Sequence, residues 1–309
     1  MEMSMQHGNI ANTGRRLGLL LLTILFVIAG VQAQNPFEDA VKQLSSENAK
    51  GYLQPFVTGL GANLNSGTYT TADIGMAGFT FKLQFVGMAT IIGDAEKKFN
   101  AVAPEPFAPG PYETATVFGD LGTLVTDDSS GLSYRFQNGQ VKADYIPLVL
   151  PQITIGDFYG TQATLRYAPI PKMGDFPKVD LFGIGVRHNI SQYFVEFPVS
   201  VSAGFFYQTL SVGDIMDIST FNFGAQVSKS FSVLTLYGGL QYEKANVELG
   251  YTYTGPGATP DSRVSVEFEG KNTFRGTAGF SLNLAVFHLN ADINVGNVTL
   301  ASAGIGFGF

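Results

Sequence analysis

Cysteine is absent from the 309-residue chain, and so is tryptophan. An exported protein without cysteine has no disulfide framework, so packing or a hydrogen-bonded ladder must hold it together. The missing thiol also excludes the lipid anchor of a bacterial lipoprotein. Charge is scarce: Asp, Glu, Lys and Arg make up 14%, against about 25% in soluble domains. The formal net charge of −7 gives no reason to expect nucleic acid as a partner. Past residue 33 no apolar run approaches the roughly 20 residues of a transmembrane helix. Anything that crosses a membrane here must be a closed barrel, the other way to satisfy every backbone group in lipid.

The first 33 residues read as a disposable leader. Arg15 and Arg16 precede the apolar run Leu17 to Gly30, and Val31 and Ala33 place small residues at a cleavage site after Ala33. The alternative is an uncleaved anchor, for which the run is short. Loss of Glu2, Arg15 and Arg16 with the leader makes the remainder one unit more negative. In "NPFEDAVKQLSSENAKGYLQP", residues 35–55, Asn35 is a good N-cap and Pro36 fits the first helical position. Glu38 and Asp39 favour the positive end of the dipole, and Phe37, Ala40, Val41 and Leu44 recur at helical spacing. Gln54 to Thr71 reads as a second short helix or an irregular lead-in. Residues 34–72 are therefore expected at the periplasmic side of such a barrel or tucked into its mouth, with a plain linker as the alternative.

Beyond residue 73 the pattern is alternation. "GFTFKLQFVG" sets Phe79, Phe81, Leu83 and Phe85 against Thr80, Lys82 and Gln84, and "FHLNADINVG" sets Phe287, Leu289, Ala291, Ile293 and Val295 against His288, Asn290, Asp292 and Asn294. Successive side chains of a strand point to opposite faces, so each segment has one apolar face and one polar face. A charge on the lipid face near the bilayer midplane costs about 2–4 kcal/mol. Lys82, Arg166, Glu243, Arg275 and Asp292 all fall on the polar face, which an outer-membrane barrel turns inward. A soluble sandwich alternates too. The end of the chain favours the barrel: "ASAGIGFGF" aligns Ala303, Ile305, Phe307 and Phe309 on one face and resembles the terminal strand that the barrel assembly machinery recognises, with Phe309 as the assembly signal.

The expectation is an all-β, membrane-spanning antiparallel barrel over residues 73–309, in the bacterial outer membrane and surrounded by its lipid. Ten strands are expected, near 78–92, 146–156, 161–170, 179–189, 198–212, 217–229, 233–253, 262–283, 286–296 and 299–309. The 93–145 region is open: "DAEKKFNAVAPEPFAPGPY" reads as a Pro-rich loop, and "YRFQNGQVKADY" with Asn138-Gly139 as a further hairpin, which would raise the count to twelve or fourteen. "YTGPGATPDSR" is expected to cap an extracellular hairpin, and the slip in alternation between Tyr242 and Ala245 to mark a bulge. Without Trp, Tyr and Phe must supply the interfacial girdles, Tyr193, Phe194 and Phe197 among them.

Candidate chemistry is sparse. Ser191 follows His188 by three residues, which does not put both side chains on one strand face, so no enzyme is expected. Asp127-Asp128 reads as a solvated turn rather than a calcium site. "GLGANLNSG" lacks the Lys-Ser/Thr ending of a phosphate loop, and no cofactor or metal is implied. The functional candidates are the lumen-lining Lys82, Arg166, Arg187, Glu243, Arg275, His288, Asn290 and Asp292, either along a permeation path or paired with one another inside a narrow, filled barrel.

The segments "LPQITIGDFYGTQATLRYAPIP", "FGIGVRHNISQYF" and "LTLYGGLQYE", with the lead-in "GLGANLNSGTYTTA", resemble an uncharacterised family of outer-membrane barrels common in Bacteroidota. A more distant likeness is to FadL-type channels for hydrophobic compounds, which also place a helical segment ahead of the barrel. The resemblance implies passive uptake or binding of a small, hydrophobic ligand. The alternative is an accessory barrel that binds a surface partner through its loops. Oligomeric state is left open.

Overall fold

The computed structural model describes residues 46–174, 176–194, 197–252 and 263–309. The leader, the Asn35 cap and the 253–262 loop tip lie outside them. Helix α1 (Ser46–Leu64) comes first, followed by strands β1 (Ala77–Ile91), β2 (Lys98–Ala101), β3 (Tyr112–Ala115), β4 (Leu124–Thr126) and β5 (Ser133–Arg135). Next are β6 (Tyr145–Phe158), β7 (Thr161–Ile170), β8 (Val179–Asn189), β9 (Ser200–Val212) and β10 (Met216–Phe231). Last come β11 (Leu234–Thr252), β12 (Arg263–Glu269), β13 (Phe274–Leu284), β14 (Phe287–Val295) and β15 (Thr299–Gly308). Among these residues no helix is long and apolar enough to cross a membrane.

Ten strands close a ring in the order β1, β6, β7, β8, β9, β10, β11, β13, β14, β15 and back to β1, each antiparallel to its neighbours. The fold is thus an all-β antiparallel barrel. The extra strand, β12, pairs only with the far half of β11, from Asn246↔Glu269 to Thr252↔Arg263. The single strand expected over 262–283 is therefore broken. Three residues of β11, 243–245, face four residues, 270–273, on the other side. The expected bulge is not in β11, whose register with β10 runs unbroken from Leu234 to Leu249. The extra residue lies in the partner, where Asn272 dips inward to donate to Glu243 Oε1 and to accept from Val298 N.

The two ends differ. Tight links at 159–160, 232–233 and 285–286 lie with the 190–199 connection and Phe309 at the turn end. The longest connection, 92–144, lies at the loop end. It adds no strand to the barrel. Instead β2 pairs with β3, and β4 with β5, so residues 102–111 and 127–132 are the hairpin tips and Asn138-Gly139 is not one. Asn138 accepts from Tyr52 Oη and Gly122 N, and the unit folds over the loop-end mouth as a lid.

The outer face carries the apolar set, exposed because lipid would cover it: Phe79, Phe205, Phe223, Leu240, Ile293 and Phe307 are all more than a third accessible. An aromatic chain crosses β9, β10, β11 and β13 through Phe205, Phe221, Phe223, Tyr242 and Phe274, with centroids 5.0 to 6.0 Å apart. At the turn end Phe309 lies 6.1 Å from Phe79 and 6.2 Å from Phe81, near the level of the exposed Tyr193, Phe194 and Phe197. Phe221 to Phe231 on β10 is about ten residues; at about 3.3 Å each and a tilt of about 40°, they span about 25 Å, the height of an outer-membrane apolar band.

Candidate functional site: the filled lumen

Helix α1 runs inside the barrel. It begins among the lid residues, where Asn48 bonds Val102 and Val117 N donates to Tyr52 O, and it ends near mid-barrel. The helix runs through Pro55 and continues for nine more residues, so the described part of the 35–55 segment, from Ser46, and the start of the second helix or irregular lead-in expected from Gln54 form one helix. Tyr52, Leu53, Val57, Leu60 and Leu64 on its faces are buried, and this packing outweighs the roughly 3 kcal/mol of an interior proline. Gly59 and Gly61 allow close approach to the wall: a Cβ would sit 2.5 Å from Ile146 Cδ1 at the first and 2.5 Å from Ala245 Cβ at the second.

"GLGANLNSG" is the helix exit. The last four carbonyls of a helix have no partner within it, and here all four find one. Gly61 O accepts from Asn65 N, and Asn63 O from Ser66 N and Ser66 Oγ. Ala62 O accepts from Arg275 Nη1 at 3.1 Å, and Leu64 O from Arg166 Nη1 at 2.9 Å. Both guanidiniums thus stand at the negative end of the helix dipole. Gly67, at φ +68°, turns the chain, and residues 68–76 continue to the start of β1 at the turn end.

The wall grips this segment through its main chain. Arg166 Nη2 donates to Ser66 O at 2.6 Å, Arg275 Nη2 to Asn65 O at 2.8 Å and Arg187 Nη1 to Thr71 O at 2.9 Å. Asn222 donates to Asn65 O, Ser281 to Thr70 O and Asn189 to Ile74 O, while Ser228 Oγ accepts from Ala72 N. Thr68, Tyr69, Thr70, Ala72 and Ile74 are all buried. The barrel is plugged by its own chain.

The candidate residues divide by role. Arg166, Arg187 and Arg275 hold the plug. Glu243 sits on the wall between Arg275 Nη2 and Asn272 Nδ2, and its contact with Arg275 is a buried ion pair. Asp292 accepts from Tyr237 Oη, Asn294 Nδ2 and Ser302 Oγ, and Asn290 from Gln84 Nε2. Lys82 and His288 are half-buried near the turn end, where His288 Nδ1 bonds Asn283 Oδ1. His188 lies on the outer face, bonded to Thr161, Tyr193 and Gln192, while Ser191 donates to Asn189. The two do not meet. Asp127 accepts four hydrogen bonds from Ser129 and Ser130 and closes the β4–β5 turn. Reading by charge misses the neutral donors Asn189, Asn222 and Ser281, although alternation puts each on the polar face.

A family model described as a family of unknown function, DUF6588, matches residues 15–309. The chain belongs to this family. No curated protein matches its sequence. Among solved structures the chain is similar to OmpT, an outer membrane protein of Vibrio cholerae, at 11% identity over 77% of this chain and 100% of that one, with a TM-score of 0.28. It is also similar to the toluene transporter TbuX of Ralstonia pickettii, at 9% identity over 85% and 99%, TM-score 0.26. A third is the outer membrane channel DcaP of Acinetobacter baumannii, at 12% identity over 78% and 100%, TM-score 0.19. Scores this low carry no argument about what the lumen admits; the barrel itself rests on the strand pairing.

Proposed function

We propose that this chain is a bacterial outer-membrane barrel that is closed at rest and serves as a surface-facing platform, with the turn end toward the periplasm and the 92–144 lid toward the outside. The observation that carries the reading is the plug: its main chain is held by Arg166, Arg187 and Arg275, and its side chains from Thr68 to Thr70 are 5 to 7% exposed. A path for a hydrophobic solute would need an apolar lining, and the turn-end half of the interior is lined chiefly by Arg, Asn, Gln and Ser, with Phe206 stacked beneath Arg166. The lid, by contrast, presents Leu121, Leu124 and Leu132, each more than half exposed, to a surface partner.

The test is electrical. Protein refolded into planar bilayers should give no steady current, and liposomes carrying it should not swell in small sugars. A stable conductance from the unaltered chain would overturn the reading in favour of a passive channel.

A further inference from the structure

We infer that the turn-end half of the lumen is a binding path for anionic, carboxylate- or phosphate-bearing solutes, occupied in the closed state by the chain's own carbonyl oxygens. The inference rests on the closed-barrel reading and concerns what the wall would bind once the plug shifts. Arg166, Arg187 and Arg275 reach toward the axis and end on main-chain oxygens of residues 62–71. The acidic groups do not reach it. Glu243 is occupied by Arg275 and Asn272, Asp292 by Tyr237, Asn294 and Ser302, and Asp157 at the rim by Thr80 and Gln162.

A plug displacement therefore frees the forks of Arg166 and Arg187 while the wall carboxylates stay tied, and Asp73, the exposed carboxylate of the plug, moves away with it. Among the described residues neither Arg166 nor Arg187 has a carboxylate ion-pair partner. A buried guanidinium needs acceptors, and its fork matches carboxylate and phosphate in a bidentate manner. The plug carbonyls are weaker, neutral substitutes. Two buried donors beside them are unused, Arg187 Nε and Arg275 Nε, and the first, with Thr68 Oγ1, also unpartnered, borders a cavity of about 10 Å³.

Gly61→Leu displaces α1 from Ala245 without touching a charge. In planar bilayers under a potassium chloride gradient it should produce openings whose reversal potential lies on the chloride side. Adding Arg187→Gln should move that potential toward zero. Cation-preferring or non-selective openings, or no openings, would overturn the inference; steady current in the unaltered chain would instead overturn the closed-barrel reading. Should Gly61→Leu fail to assemble, Thr68→Cys combined with Gly61→Ala, whose added Cβ would sit 2.5 Å from Ala245 Cβ and shift the plug, provides a sole thiol in a cysteine-free chain. A negatively charged methanethiosulfonate should label it about tenfold faster than a positively charged one of equal size. Equal rates, reversed rates or no labelling by either reagent would overturn the inference.

Discussion

The two halves of this barrel obey opposite rules. Toward the turn end the interior is Gln84, Gln152, Arg166, Arg187, Asn222 and Arg275, and the exterior is phenylalanine, leucine and valine. Toward the loop end the interior is Val86, Leu148, Leu150, Leu181, Leu210, Ile218 and Val247, packed on Leu53, Val57 and Leu60 of α1. The exterior of β9 to β12 there carries Thr209, Ser219, Asp217, Asn246 and Glu267. The inversion falls between adjacent inward positions of single strands: Gln84 and Val86 on β1, Gln152 and Leu150 on β6, Gln208 and Leu210 on β9, Thr220 and Ile218 on β10. The turn-end half is built for lipid outside and hydrogen bonds inside; on β9 to β12 the loop-end half is built for water outside and an oily core, while β1, β6 and β14 keep Ile91, Tyr145, Ile293 and Val295 exposed there. The strands cross from one solvent to the other, and side-chain chemistry changes with each step.

Removing a buried group from each half is the most direct way to break this comparison. Arg275→Ala strips Glu243 of its counter-charge in the polar half, and unfolding in detergent should show a loss of about 3–5 kcal/mol, largely restored by replacing Glu243 with Gln as well. A neutral effect of the single change would show that the ion pair does not brace the polar half. In the oily half, Leu60→Ala should cost about 2–5 kcal/mol. The same truncation at Leu240, 74% exposed on the lipid face, should cost less, about 1–2 kcal/mol of lost apolar transfer into detergent, because no cavity is left behind. Equal losses at the two sites would mean that α1 does not belong to a packed core.

The smallest effect lies in the lid. Hydrogen bonds from Ser130 and Ser129 hold the Asp127 carboxyl down to about 2. A depressed carboxylate contributes while ionised, so the turn keeps this contribution above the ordinary carboxylate range and loses it as pH falls through about 2. Amide exchange at Ser129 and Ser130 should stay slow down to that pH. Exposure near pH 4 would show that Asp127 titrates freely.

Much of the architecture is legible because period-two alternation is strong wherever lipid faces one side. The ten barrel strands fall near the ten stretches read from it, and Lys82, Arg166, Arg187, Glu243, Arg275 and Asp292 all sit on inward positions. What alternation cannot reveal is its own inversion. At Tyr242 to Ala245 the swap of polarity looks like a slipped register, yet β11 is regular and only the surroundings change. The length of the helix is hidden for a different reason: Pro55 signals a break in local propensity, while burial of Leu53, Val57 and Leu60 is a tertiary effect. The grip of the wall on carbonyl oxygens leaves no mark in residue types, since any sequence from 62 to 74 offers the same acceptors.

The course of residues 65–76 constrains the order of assembly. They traverse the cylinder lengthwise and lead directly into β1, and β1 is also one lip of the seam that meets β15. A cylinder already zipped along that seam would have to admit the upstream chain end-first and re-form its hydrogen bonds to Arg166, Arg187 and Arg275 from inside. The lengthwise segment and α1 are therefore laid down while the sheet is still open, with the first and last strands joining around them.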